Sequence, residues 1–274
     1  AEPGRSNPAE KGCMRIFDLA GQFGWVRLTG ATRVDFLHRM STNHLHGLKV
    51  GEARLTVLTT PIGRMIDCVL AIGQADALLL MTGAANAEKV GRWLRKYVFF
   101  NDDVQVAVVG AAGAQGVFEV EAGPLGGIPW LPQGWLLLAP DGAEGVVEDG
   151  SAFEAYRISR GWPRHPNEIS EDYIPLEAGL RAAVSFSKGC YIGQEIIARM
   201  DSRGQMAKRL MRLRIEGPAI AGEALFAAGV AAGTLTSIAG ADALGFVRSA
   251  HAAPGTTLKT AEGSGVTIVE NAGL

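Results

Sequence analysis

Hydrophobic positions along the chain change their texture twice, which divides it into three stretches. In the first hundred residues, strand-like runs alternate with helical stripes. Two apolar patches, Ile16-Phe17 and Trp25-Val26-Arg27-Leu28, are split by Gly21 and Gly24 and predict short strands. Val34, Leu37 and Met40 then share one helical face, with Thr32 placed to cap it. Residues 53–60 and 65–72 read as strands joined by the turn Pro61-Ile62-Gly63-Arg64, and 77–82 as a third strand. Asn86 is placed to cap a helix striped by Val90, Trp93, Leu94 and Tyr97, and 104–109 returns to strand. Strands, a helix and a strand predict a ferredoxin-like α+β unit at about 52–140.

The middle of the chain is less periodic. The glycine-rich stretch 110–116 is followed by no Lys-Ser/Thr, and Gly123-Pro124 and Gly126-Gly127 interrupt any helix after it. It therefore reads as a connection and not as a phosphate loop. Residues 134–139 predict a strand. Ser151 and Glu154 form a capping box for a helix that Gly161 stops. Pro163, Pro166 and Pro175 make 162–177 a long ordered loop, a kind of segment that commonly carries function. Ile192, Ile196 and Met200 predict another helix, opened by a turn with Ser187 or Cys190 near its N-cap.

Beyond Gly204 the texture becomes all-strand. Short apolar runs at 210–215, 224–227, 233–238, 244–248, 257–260 and 266–270 are evenly spaced between turns and predict a small β-barrel. Arg212 and Arg214 alternate with Met211, Leu213 and Ile215, giving one basic and one buried face. The fold class expected is α+β, with two interleaved α+β units around a central cavity over 13–203. A barrel over 204–274 and a loose, polar tail over 1–12 complete it.

Composition narrows the function classes. With 274 residues, 26 Lys plus Arg and 28 Asp plus Glu, the chain has no global field directed at nucleic acid or membrane. Residues 188–214 carry a local net charge of +5, which suits an anionic ligand. No apolar run reaches membrane-spanning length, and 1–12 lack the apolar core of a signal peptide. The three cysteines, Cys13, Cys68 and Cys190, are far apart and form no C-x-x-C pair, so a reducing compartment is expected, the cytoplasm or an organelle matrix. His44-Leu45-His46 has ligand-like spacing but no third ligand nearby in sequence, and is read as a loop pair with no metal.

The stretch Ser187-Lys188-Gly189-Cys190-Tyr191-Ile192-Gly193-Gln194-Glu195 carries the chemistry. A free cysteine is commonly inert filler. A thiol at a helix start, beside Lys188, instead meets unpaired N–H groups and positive charge, both of which favour the thiolate.

Lys188 to Glu195 resembles the signature of the YgfZ family, folate-binding relatives of the glycine-cleavage T-protein implicated in iron–sulfur cluster assembly or repair. Further runs are similar to T-protein motifs: Leu28-Thr29-Gly30 through Asp35-Phe36-Leu37 to Ser41-Thr42-Asn43, then Arg157 to Gly161, Asn167-Glu168-Ile169 and Pro175-Leu176-Glu177. The resemblance implies a T-protein-like fold, tetrahydrofolate or a one-carbon derivative as cofactor, and iron–sulfur proteins or assembly factors as partners of a monomer. On it, Cys190 and Lys188 are the expected reactive pair, with Asp67 as a weaker catalytic candidate. Trp162, Tyr173 and Tyr191 offer ring faces to a pteridine, and Arg199 or Arg203 a charge for the glutamate tail. Arg157, Glu177, Gly189, Gln194 and Glu195 complete the expected folate contacts. Two departures stand out. Ser159 and Cys68 occupy positions where T-proteins carry carboxylates, which disfavours the alternative of an aminomethyltransferase. A folate-stabilised, non-catalytic scaffold is the other alternative.

Overall fold

The computed structural model describes residues 14–110, 113–138, 145–204 and 206–274; Cys13 and the tail expected over 1–12 lie outside them. In chain order the elements are β1 (Arg15–Asp18), β2 (Phe23–Thr29), α1 (Arg33–Met40), β3 (Ala53–Thr59), β4 (Met65–Gly73) and β5 (Ala77–Gly83). Then come α2 (Ala87–Lys96), β6 (Gln105–Val109), β7 (Ala114–Phe118), β8 (Ile128–Pro129), β9 (Gly134–Leu138), β10 (Val147–Glu148), α3 (Gly150–Arg160) and α4 (Gln194–Arg203). The C-terminal strands are β11 (Lys208–Glu216), β12 (Ala224–Ala227), β13 (Val230–Ala239), β14 (Asp242–Arg248), β15 (Thr257–Thr260) and β16 (Gly265–Asn271).

Three units meet at one centre. The first is a five-stranded sheet in the order β3-β4-β5-β2-β6. Val90 and Leu94 of α2 and Phe36 and Leu37 of α1 cover one of its faces. Leu70, Ile72, Leu79 and Met81 on the other face pack against the second sheet, β10-β1-β7-β9-β8, and against Phe153 and Tyr156 of α3. Burial on both faces explains why β4 is almost continuously apolar instead of alternating. The third unit is a closed six-stranded barrel, β11-β14-β13-β12-β15-β16. Met211, Leu213 and Ile215 point into it, while Arg214 turns outward to Asp242 at 3.1 Å. Leu210, Leu244 and Phe246 of the barrel join Ile158 of α3 and Val57 and Met65 of the first sheet in a shared core.

The ferredoxin-like unit expected at about 52–140 is divided differently. The first sheet takes β2 from before it, and β7, β8 and β9 pair instead with β1 and with one another in the second sheet. Periodicity reveals strands but not their partners. Helix caps differ too. Thr32 makes no side-chain cap and donates to Asp103 O at 3.2 Å. At α3 the N-cap is Asp149, whose Oδ1 accepts from Ser151 N and Ala152 N at 3.0 Å, in place of the expected Ser151. Gly161 stops α3 as expected, in the left-handed region at φ 79°. No helix among the described residues is long and apolar enough to cross a membrane.

Candidate functional site

A cleft opens where the two sheets, α3 and the 162–177 loop converge. Phe23, Trp130 and Trp162 give it aromatic walls, and Asp67, Arg164 and His165 give it polar groups. Pairing between β3 and β4 shifts register beside Asp67, since Leu58 opposes Asp67 and Thr59 opposes Met65. Asp67 and the neighbouring Cys68 both line the cleft. The Asp67 carboxylate is buried and accepts from Gly83 N at 2.9 Å and Asn86 Nδ2 at 3.0 Å. Burial raises its pKa to about 6, against the opposing pull of those hydrogen bonds. The same Asn86 amide donates to Ile66 O at 2.9 Å. It thus positions the carboxylate instead of capping α2. Cys68 is half-buried, and burial together with the Asp67 charge pushes its thiol up.

One wall of the cleft is braced by buried charge. The Arg157 guanidinium reaches Glu154 Oε2 at 2.8 Å, Glu168 Oε2 at 3.1 Å, Trp162 O at 3.0 Å and Ser237 Oγ at 2.8 Å. Ser237 belongs to the barrel and donates onward to Glu168 Oε1 at 2.6 Å. Arg164 extends the network to Glu154 and Gln22. Arg157 was expected to contact the folate; its side chain lines the cleft, but its donors are engaged by protein, and it joins α3 to the barrel. Trp162 also lines the cleft, packed edge-on against Tyr156. These flat aromatic walls with a few polar groups fit a heteroaromatic ring.

The signature stretch sits elsewhere, and among the described residues none of 188–195 lines this cleft. Helix α4 begins at Gln194 behind Gly193, which is left-handed at φ 83°. A Cβ there would stand 2.6 Å from Thr60 O, so glycine is required. Cys190 therefore precedes the helix by a turn of loop and is not at its N-cap. Its residue is exposed, as is Gly189. Lys188 is turned inward and buried, and its ammonium donates to Ser41 O at 2.7 Å, Asn43 O at 3.1 Å and His38 O. Burial lowers its pKa to about 8. Both features expected to favour a Cys190 thiolate, the helix start and the Lys188 charge, are thus directed elsewhere. The stretch 183–192 is instead clamped to residues 38–43 and to Thr59. Thr59 Oγ1 donates to Ile192 O at 2.5 Å, Thr42 Oγ1 to Ala183 O at 2.6 Å, and Ser185 N to Thr42 O at 2.9 Å. Tyr191 is buried against Leu176, Val184 and Ile197, with the Lys188 ammonium 5.3 Å from its ring. Its phenol is pushed up to about 12 by burial.

The remaining expected contacts scatter. Tyr173 stacks on Phe246 at 3.5 Å between centroids. Glu177 faces a second cleft with Arg181 and Arg209, where it accepts from Ile174 N at 3.2 Å and burial raises its pKa. Gln194 is half-buried, while Glu195, Arg199 and Arg203 are exposed along α4. Ser159 donates to Tyr156 O at 2.7 Å within α3. Asn86, Arg164 and His165 were missed from the sequence, and nothing in their local pattern distinguishes them from capping or surface residues.

Comparison with known proteins places this geometry. Residues 12–124 match the GCVT N-terminal domain, and 208–271 match the CAF17 C-terminal beta-barrel domain. A putative chloroplastic transferase of Arabidopsis thaliana is 30% identical over 295 residues, covering 90% of this chain and 68% of that protein. The mitochondrial iron–sulfur cluster assembly factor IBA57 of Mus musculus is 35% identical over 113 residues, 38% of this chain and 30% of that protein. The crystal structure of glycine cleavage system aminomethyltransferase T from Bartonella henselae superposes with a TM-score of 0.78 at 20% identity, covering 94% of this chain and 85% of that one. That structure shares the fold. A GCVT domain, a CAF17 barrel and the chloroplastic relative together show that the chain belongs to the YgfZ/CAF17 family.

Proposed function

We propose that this protein binds tetrahydrofolate, or a one-carbon derivative, and supports iron–sulfur cluster assembly or repair through the thiol of Cys190. The observation that carries the reading is the clamp on the 188–193 loop. A buried ammonium held by backbone carbonyls is costly to desolvate. Here it fixes an exposed cysteine in place instead of filling a core. An exposed, positioned thiol suits exchange with a partner protein. One cysteine cannot hold a cluster alone, because such sites need about four ligands, so a partner or a small thiol would supply the others. Such a thiol needs a reducing compartment. The aromatic cleft beside Asp67 is where the pteridine is proposed to lie. The likeness of the first half to a GCVT domain, and the iron–sulfur role named for IBA57, support this reading.

The test is calorimetry and thermal unfolding with reduced folates. Binding should give measurable heat and raise the Tm by mass action on the folded state, equally in Cys190→Ala. No heat and no shift at millimolar folate would remove the ligand from the proposal.

A second reading, aminomethyl transfer, is favoured by one observation: Asp67 is a buried carboxyl in the cleft with a pKa near 6, suited to proton transfer. Against it, Cys68 and Ser159 stand where T-proteins are expected to hold carboxylates, and the Ser159 hydroxyl is engaged within its own helix. Losing an acid–base group typically costs about 10²–10⁴ in rate. Methylene-tetrahydrofolate formation from an aminomethyl-lipoyl carrier should be absent, and robust turnover would promote this reading over the first.

A further inference from the structure

We propose that His38, His44 and His46 form a binding site for a divalent first-row transition-metal ion, independent of both the folate cleft and the Cys190 thiol. The sequence shows only the pair His44 and His46. The fold brings His38, from the last turn of α1, against them, so that one ring nitrogen from each lies within 4.8 Å of the others. The rings of His38 and His46 stack at 3.8 Å between centroids, and His44 stands edge-on to both at 5.0 and 5.4 Å.

The His38 and His46 rings are parallel, so one must turn to aim its in-plane lone pair at an ion held by the other; the surroundings of the cluster support such a site. His46 Nε2 lies 2.8 Å from Asp35 Oδ1. That pairing fixes the tautomer and leaves His46 Nδ1 for the ion, as a carboxylate does behind many metal-bound histidines. The supporting backbone is held at many points. Asn43 Oδ1 accepts from His44 N at 2.9 Å, Asn43 Nδ2 donates to Leu55 O at 2.8 Å, and Arg54 Nη1 donates to His44 O at 2.5 Å. Leu45, between the two loop histidines, is buried. The Lys188 clamp pins the carbonyls of His38, Ser41 and Asn43 from the other side.

Donor chemistry sets the class of ion. Three imidazoles suit zinc, copper, nickel or iron and not the oxygen-seeking calcium or magnesium. His38 is buried, whereas His44 and His46 are exposed, so three protein ligands leave a fourth position open to solvent. The site therefore resembles an exchangeable or catalytic centre and not a closed structural one. Loading has a built-in reporter. His38 Nδ1 accepts from Leu45 N at 3.2 Å in the metal-free arrangement. A neutral imidazole has one free in-plane lone pair, so an ion on His38 must displace that hydrogen bond.

The test uses tag-free, reduced full-length protein, with Zn2+ titrated against a chromophoric chelator. Wild type and Cys190→Ser should each bind one equivalent. His44→Ala and His46→Ala, both at exposed positions, should bind at least about 10-fold more weakly, and Asp35→Asn about 10-fold more weakly. X-ray absorption of the loaded protein should show nitrogen and oxygen donors at about 2.0–2.1 Å and no sulfur. The Leu45 amide resonance should shift on loading of wild type, a readout that needs no variant to fold. Absence of binding by wild type, unchanged affinity in His44→Ala and His46→Ala, or a sulfur shell would each overturn the proposal. None of these results bears on folate binding or on Cys190.

Discussion

Cys68 lies on β4, half-buried in the folate-candidate cleft beside the Asp67 carboxylate, whereas Cys190 lies exposed on a loop clamped from beneath. Burial and an adjacent negative charge both disfavour the thiolate at Cys68. That thiol is held protonated and lines the cleft. Cys190 is placed oppositely: the buried Lys188 ammonium and the Ile192 carbonyl tie its loop to residues 38–43 and Thr59, while Cys190 itself stands exposed. Under the proposed function the working thiol is the one outside the cleft, and the buried Lys188 anchor beside it is what singles it out.

Each region can be broken through its support. The cleft wall depends on Arg157, and Arg157→Ala leaves Glu168 buried without its cation. Breaking a buried pair from one side typically costs about 3–5 kcal/mol, so urea unfolding should show a loss of about 4 kcal/mol. The loop depends on Lys188. Lys188→Met should cost about 3 kcal/mol, because it leaves buried carbonyls unpartnered, and should speed proteolysis near Cys190. Equal stability of Lys188→Met and wild type would mean that the clamp is ornamental.

Asp67 gives a smaller and pH-dependent effect. Its folded pKa of about 6 lies above the unfolded value near 3.9, so the folded state binds the proton more tightly. That contribution is fully present below pH 4 and is lost as pH rises through 6. The stability of wild type relative to Asp67→Asn should therefore fall by about 2–3 kcal/mol between pH 4 and 7 in chemical denaturation. A difference independent of pH would show that the carboxyl is not perturbed by folding.

The barrel and the individual strands of the first sheet were legible because apolar runs and turn residues are local signals, as in Met211, Leu213 and Ile215 against Arg212 and Arg214. What sequence missed was mostly tertiary. Asn86 looks like a cap, but the buried Asp67 carboxylate captures its amide from 19 residues away. Lys188 looks like a charge beside a thiol, but its partners lie about 150 residues upstream, at His38, Ser41 and Asn43. Ser187 and Cys190 look like helix caps, yet the helix starts behind the left-handed Gly193, which the close approach of Thr60 O keeps a glycine. His38 joins His44 and His46 only once α1 turns back on its loop. The YgfZ-like octapeptide was visible at once, but its physical meaning, an anchored loop presenting a thiol, needed the fold.

Two experiments compare the cysteines directly. Iodoacetamide at pH 8 should modify Cys190 before Cys68, read by peptide mass spectrometry, since one thiol is exposed and the other is half-buried with its ionisation suppressed. Preferential labelling of Cys68 would reverse the chemical contrast. The functional contrast is tested in cells whose iron–sulfur enzymes depend on this protein, by measuring cluster-enzyme activity with wild type, Cys68→Ala or Cys190→Ala at matched protein levels. Cys68→Ala should restore activity and Cys190→Ala should not, with both variants folded; full activity from Cys190→Ala would contradict a functional thiol at that loop.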